Sequence, residues 1–259
     1  MNNATKVQHF IELHQQNEPL MIGNVWNVPS ARVFQKAGFQ AIATSSAAVA
    51  EALGYRDGEE LSFEEYLFIV KRIRASVDLP LSVDLETGFG KTTGEVISNI
   101  EKLSQLGVVG INIEDSSVAN GVRRIHDAGT FSKKLTEIVV GLKSRNIPMF
   151  INTRCDTFLL RMADARDEAI RRMNIYEQTG INGIFLPCIT DINDIKATAS
   201  ATRLPLNVLC MPNLPDFELL GKVGVKRISM GDFAYAYLYK DLDRAVRKVM
   251  ADGSFAAFF

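Results

Sequence analysis

Short apolar runs recur along the chain, and between them apolar residues return every three or four positions. The runs are LMIGNVW (20–26), QAIATSS (40–46), LPLSVDLE (79–86), VGINIED (109–115), PMFINTR (148–154), NGIFLPC (182–188), LPLNVLC (204–210) and KRISMGD (226–232), eight in all. Runs this apolar, without strict alternation, suit strands covered on both faces, as in a parallel sheet flanked by helices. The stretches between them carry helix signals. Ser62 and Thr92 each stand three residues before a glutamate, Glu65 and Glu95, in the pattern of a capping box. After the second box Val96, Ile97, Ile100, Leu103 and Leu106 fall on one helical face, and Gly107 ends the helix; Phe131, Leu135, Ile138, Val139 and Leu142 form another such face. The segments KAGFQAI, QLGVVGI and QTGINGI each pass from helix to strand through glycine.

Eight alternations of strand and helix in this length predict a (β/α)8 TIM barrel of the α/β class, occupying residues 1–259 as a single domain. The rival is an open doubly wound sheet, but no GxGxxG follows the first strand. A chain of 259 residues, 47% of them hydrophobic, can bury one large core. With 29 basic and 30 acidic residues the formal charge is -1, and no block of like charge suggests a nucleic-acid groove or a membrane surface. Three cysteines without CxxC spacing argue against a disulfide framework or a zinc site and fit a reducing compartment. The N-terminal residues show no leader pattern, and no apolar run spans a bilayer. A cytoplasmic protein with a small-molecule partner is the expectation.

In a barrel of this kind, functional groups gather at the C-terminal ends of the strands. Asp84 and Glu86 end the third predicted strand, Glu114 the fourth and Arg154 the fifth, while Asp57 lies in the loop after the second. Two-residue spacing on a strand turns Asp84 and Glu86 to one face, and Asp115 to the face opposite Glu114. Any one acid at a strand end could be a helix cap. Four converging on one rim would repel each other unless a cation joined them. Mg2+ is the natural choice, with Mn2+ as its substitute, because it takes oxygen ligands and keeps several waters; no paired His or Cys nearby favours zinc.

The segments VDLETGFG, GINIEDS and INTRCD carry a resemblance. The chain resembles the isocitrate lyase and phosphoenolpyruvate mutase superfamily, whose members read V-D-x-D-x-G-[FY]-G, I-E-D and N-A-R-T-D at these places. The likeness extends from GNVWNVPSAR to RISMGDFAYA. It implies a Mg2+-dependent barrel acting on 2-oxo acids or their precursors. By that resemblance Asp84 is the principal metal ligand, with Glu86, Glu114 and Asp57 holding the ion directly or through water. Ser45, Ser46 and the Ala47 backbone N–H form a cradle for the substrate carboxylate, Trp26 lines the pocket, and Arg154 binds substrate oxygens and stabilises negative charge. Asn207, near the end of the seventh strand, is a further candidate for the pocket wall. The resemblance also implies a homodimer or homotetramer with a terminal helix swapped between subunits, consistent with the aromatic tail FAAFF.

The chain departs from its relatives in the segment after the fourth strand, SSVANGVRRIHDAGTF, residues 116–131, expected to be a mobile loop. Isocitrate and methylisocitrate lyases carry K-[KR]-C-G-H there, and phosphonate enzymes carry D-K-x-[FY]-P-K-x-N-S. This chain has neither the cysteine nor the lysines, leaving Asn120, Arg123, Arg124 and His126, of which His126 is the candidate proton donor. Glu86 stands where most relatives have Asp. The expected activity is a metal-assisted carbon–carbon lyase or decarboxylase acting through a stabilised enolate on a small 2-oxo or 2-hydroxy di-acid, oxaloacetate-like or alkylmalate- and methylisocitrate-like. Phosphonopyruvate hydrolase or mutase chemistry, and a non-catalytic metal and 2-oxo acid binding protein, are the alternatives.

Overall fold

The computed structural model describes residues 2–259. Eight parallel strands close into a barrel: β1 (Leu20–Val25), β2 (Ala41–Thr44), β3 (Leu81–Asp84), β4 (Gly110–Glu114), then, after a hairpin of β5 (Ser116–Ala119) and β6 (Val122–Ile125), β7 (Phe150–Arg154), β8 (Gly183–Leu186), β9 (Leu206–Leu209) and β10 (Val225–Ser229). β10 pairs with β1 to complete the ring. The eight barrel strands fall within or beside the eight apolar runs, because a strand buried on both faces leaves a near-continuous apolar signature. Both capping boxes form at the starts of α4 (Phe63–Arg74) and α5 (Thr93–Gln105). Val96, Ile97, Ile100 and Leu103 of α5 are buried, as are all five of the apolar positions expected on α6 (Ala128–Ser144).

The segment after β4 differs from the expected loop. Residues 116–125 form an antiparallel hairpin, with Ala119 opposite Val122 and a two-residue turn at Asn120 and Gly121. Both turn residues have positive φ, 53° and 73°. That is the backbone twist a tight hairpin demands, and Asn-Gly supplies it with little strain.

The lower end of the barrel is plugged by α1 (Asn3–Leu13), whose Val7, Phe10 and Leu13 pack against Leu20, Ile22 and Phe150. His14, at the end of α1, is buried there. Its ring stacks on Phe150 with centroids 4.3 Å apart, and Nδ1 lies 2.7 Å from the Phe10 carbonyl oxygen, so Nδ1 donates and Nε2 stays unprotonated. Burial, and then the charge of Arg227, lower the His14 pKa from 6.5 to about 3. A base with a lowered folded value stabilises the fold in its neutral form, so this contribution is present above pH 6.5 and is lost as pH falls through 6.5 toward 3. The expected result is that about 2–3 kcal/mol of stability disappears by pH 4.5 from this group alone. Urea unfolding of wild type and His14→Gln across this window checks it: the difference between their midpoints should change with pH, and a constant difference would refute the assignment.

The last helix, α10 (Phe233–Asp252), buries only Tyr235. Leu238, Leu242, Val246 and Met250 are exposed along it, followed by Phe255, Phe258 and Phe259. No helix is long and apolar enough to cross a membrane among the described residues.

Candidate active site

At the C-terminal mouth of the barrel lies a cavity of about 150 Å3, lined by Ser45, Ser46, Ala47, Asp57, Asp84, Asn112 and Arg154, among others. A larger groove of about 370 Å3 between α1 and α6 contains no carboxylate and lies at the opposite end; the smaller cavity is the one that gathers residues from the C-terminal ends of the barrel strands.

Asp84 ends β3 and is fixed from behind. Its N–H donates to Thr44 Oγ1 at 3.0 Å, and its carbonyl accepts from the Tyr66 hydroxyl at 2.9 Å. Thr44 and Tyr66 are themselves hydrogen-bonded at 2.5 Å, which closes a buried brace around the Asp84 backbone. The carboxylate faces the cavity and accepts from Ser46 Oγ at 2.8 Å. Ser45 is the N-cap of α3 (Ser46–Ala52), its hydroxyl accepting from the Ala48 N–H at 3.3 Å. The Ser46 hydroxyl therefore serves Asp84, and the Ala47 N–H is the group of this turn left to meet a ligand.

Glu86 sits two residues beyond Asp84, but strand alternation does not carry it there. β3 ends at Asp84, and Glu86 has a φ of 48°. Its backbone carbonyl still accepts from the Glu114 N–H at 2.9 Å. The next turn is held by Glu59, whose Oε1 accepts from the Thr87 and Phe89 N–H groups at 2.9 and 2.8 Å. The Glu86 side chain is buried and forms no ion pair among the described residues. Burial, reinforced by Asp57, Asp84 and Glu114, pushes its pKa up from 4.5 to about 9.

Glu114 ends β4, opposite Arg154 on β7. Arg154 Nη1 meets Glu114 Oε2 at 2.8 Å, and its Nε meets Asp156 Oδ1 at 2.6 Å. Arg123, carried over by the hairpin, pairs with the other Glu114 oxygen and with Asp57 at 3.1 Å. Burial lifts the Glu114 carboxyl from 4.5 to about 7, even with Arg154 and Arg123 drawing it down. Burial also opposes the charge on Arg154, but Glu114 and Asp156 hold its pKa well above the ordinary arginine value. Asp115 faces the other way. It accepts from Tyr176 at 2.8 Å and Arg172 at 3.1 Å, and takes the Asp156 N–H at 2.9 Å, so it positions Asp156 without reaching the cavity.

Several candidates lie elsewhere. The His126 N–H donates to the Asp115 carbonyl, its own carbonyl accepts from Arg172, and its ring faces Phe131 of α6. The hairpin turns the chain back before His126, which removes the imidazole from the cavity wall and corrects its reading as a proton donor. Trp26 is buried edge-on against Tyr235 at 5.3 Å, behind the cavity wall, because β1 ends one residue earlier and its side chain turns under α10. Asn207 lies fully buried beneath the floor. Conversely, Asp156, Asn112 and Glu59 are not among the site residues expected from the sequence, and Arg123 is expected there only as one of the cations left in the 116–131 segment. The Asn120-Gly121 turn signal places Arg123; Asp156 closes the INTRCD segment and Asn112 lies within GINIEDS, while nothing local marks Glu59.

The donor set fits a hard cation. Every nearby ligand atom is oxygen, and the Glu86 carboxyl is buried beside Asp57, Asp84, Glu114 and Glu59, of which Asp57 and Glu114 are paired with arginines while Asp84 and Glu86 form no ion pair among the described residues. No three His, Cys, Asp or Glu side chains among the described residues converge tightly enough to enclose an ion alone. Glu114 is already engaged by two arginines, so Asp84, Glu86 and Glu114 do not form a three-carboxylate cage. That arrangement suits Mg2+, which is held by one or two carboxylates together with water and ligand oxygens.

Fold and site together define a barrel enzyme with a small cavity, an acidic cluster and Arg154 at its C-terminal mouth. Residues 10–250 match the phosphoenolpyruvate phosphomutase family, and the chain belongs to that family. It is 28% identical to the oxaloacetate decarboxylase of Ectopseudomonas mendocina, across 82% of this chain and 73% of that one. It is also 28% identical to the 2-methylisocitrate lyase of Escherichia coli K12, across 78% and 67%. A crystal structure of a phosphonopyruvate hydrolase with oxalate and Mg2+ shares the fold, with a TM-score of 0.84 at 20% identity over 99% of this chain and 89% of that one.

Proposed function

We propose that the protein is a Mg2+-dependent carbon–carbon lyase or decarboxylase acting at C3 of a small 2-oxo or 2-hydroxy di-acid. The observation that carries this reading is Asp84, fixed by Ser46 and facing a small cavity that also contains Arg154. The cavity is well below the roughly 300–1,000 Å3 usual for drug-sized ligands, which suits an acid of a few carbons. The relatives that decarboxylate oxaloacetate or cleave 2-methylisocitrate support the same class.

Asp84 would hold the ion, with Glu86 and Asp57 beside it, and a bound Mg2+ supplies Lewis-acid stabilisation of charge on the 2-oxo group. The protein's own contribution is orientation and charge. The Ala47 N–H and Ser45 turn take the substrate carboxylate, and Arg154, locked by Glu114 and Asp156, holds a fixed positive charge where negative charge develops. Phosphonate chemistry is the second reading, favoured by the phosphomutase family match and by the fold shared with the hydrolase; against it, Ser116 stands where phosphonate enzymes carry the first lysine, and no lysine follows until Lys133.

The test is a panel of oxaloacetate, alkylated malates, 2-methylisocitrate, isocitrate and phosphonopyruvate, each with Mg2+. Release of pyruvate or glyoxylate from one of these di- or tricarboxylic acids is expected. A phosphorus NMR product from phosphonopyruvate, with no di-acid turned over, would replace this reading with the second. We further propose that the exposed face of α10 and the terminal aromatics are covered in a homodimer or homotetramer, with the helix exchanged between subunits, which light scattering after size exclusion would report.

A further inference from the structure

Barrel interiors of this type are usually filled by branched aliphatic side chains. Directly below this cavity the filling is polar: Asn112 on β4, Asn152 on β7, Asn207 on β9 and Arg227 on β10. Asn152 Nδ2 donates to Asn112 Oδ1 at 2.9 Å and to Asn207 Oδ1 at 3.3 Å. Arg227 Nη2 donates to the same Asn112 oxygen at 3.4 Å. Asn207 Nδ2 passes the chain on to Ser229 Oγ at 3.0 Å.

The direction of this network is fixed by its chemistry. Arginine has donors and no acceptor, so the atom of Asn112 that faces Arg227 must be the oxygen. With Asn112 Oδ1 taken from below by two donors, the amino group is turned the other way. Asn112 lines the cavity, and its Nδ2 has no protein partner among the described residues. It also stands in register with Asp84 on the neighbouring strand, at the level where a ligand of the site would sit.

Arg227 is an unusual support. It is 1% exposed, it forms no ion pair among the described residues, and its Nε and Nη1 have no hydrogen-bond partner. Buried cations are ordinarily paired with an anion. Here the unmatched charge lies one layer beneath a cavity suited to an anion.

We infer that Asn112 is a ligand-binding residue whose side-chain amino group donates to an oxygen of the bound acid, and that Arg227 is the positioning residue that fixes this orientation from below. The inference rests on the proposed function in one respect: the occupant is an oxygen-bearing acid. Within that class it assigns to Asn112 a contact distinct from the serine turn and from Arg154.

Oxalate binding in the presence of Mg2+, measured by calorimetry on the full chain, tests it. Asn112→Asp is nearly isosteric but places an acceptor where the donor stood, and it should weaken oxalate by roughly 100-fold, against roughly 10-fold for Asn112→Ala. Mn2+ binding without oxalate, followed by paramagnetic relaxation, should not weaken in either variant, which separates loss of the acid from loss of the ion. Arg227→Met should weaken oxalate and Arg227→Lys should restore much of it; if the buried Met variant fails to fold, Asn112→Asp still decides. In wild type, the Asn112 side-chain amide resonances, identified by their absence in Asn112→Asp, should shift when oxalate is added. An unchanged oxalate affinity in Asn112→Asp, or amide resonances that stay in place at saturation, would overturn the inference alone. A wild-type protein that binds no oxalate with Mg2+ would overturn the proposed function and this inference with it.

Discussion

Asp84→Asn is expected to lower metal-dependent turnover by roughly 1,000-fold or more, since a bound divalent ion contributes several kcal/mol to stabilising the transition state. The same substitution should leave the fold intact or slightly more stable. Ser46 Oγ, 2.8 Å from the Asp84 carboxylate, can donate equally well to an amide oxygen. The backbone brace from Thr44 and Tyr66 is untouched. Removing one negative charge also relieves Glu86, whose carboxyl is pushed up by burial and by the fields of Asp57 and Asp84. A stability gain beside a loss of function is the signature of an acid kept for chemistry. Mn2+ titration, thermal unfolding without metal and turnover of the best di-acid substrate measure the three effects. Retention of metal affinity would sink the assignment of Asp84 as ligand, and a large fall in melting temperature would show that its role is structural.

The barrel was legible in the sequence because its signals are local. A parallel strand covered on both faces appears as a short apolar run, and a capping box such as Ser62–Glu65 closes within three residues. The acids at strand ends were legible for the same reason. What escaped was whatever depended on partners distant along the chain. Arg123 reads as a loop cation until the hairpin sets it against Asp57, 66 residues earlier in the chain. Asp156 closes the INTRCD segment, but its task is visible only once Arg154 closes on it and Asp115, 41 residues earlier, holds its backbone. Asn112 and Arg227 are 115 residues apart, and no spacing rule links them. Glu86 shows where a local rule stops: two-residue alternation held only to Asp84, after which a positive φ replaced the strand. His126 failed for the converse reason, since a titratable residue in a presumed loop was drawn into an outer network of Asp115 and Arg172 once the hairpin formed.

Arg154→Met should unfold more readily than wild type, by about 3–5 kcal/mol, and should bind no oxalate. The magnitude follows from what is left behind. Glu114 is 3% exposed and Asp156 is fully buried, so removing the Arg154 guanidinium leaves two buried carboxylates to share Arg123 alone. Arg123 is not an adequate substitute, because it lies 3.4 Å from Asp156 and is already shared with Asp57. For a chain of this length each kcal/mol corresponds to roughly 2–4 °C, so the melting temperature should fall by roughly 6–20 °C. Arg154→Lys keeps the charge but cannot meet Glu114 through Nη1 and Asp156 through Nε at once, and should lie between the two. Adding Glu114→Gln to Arg154→Met should recover part of the stability, since one stranded charge is removed, yet recover no ligand binding. That contrast separates the two jobs of Arg154: neutralising Glu114 is a structural task another group can take over, whereas the fixed positive charge facing the cavity has no replacement. If the double variant regained oxalate binding along with its stability, Arg154 would be a structural counter-ion, and the anion would be held by the serine turn and Asn112 without it.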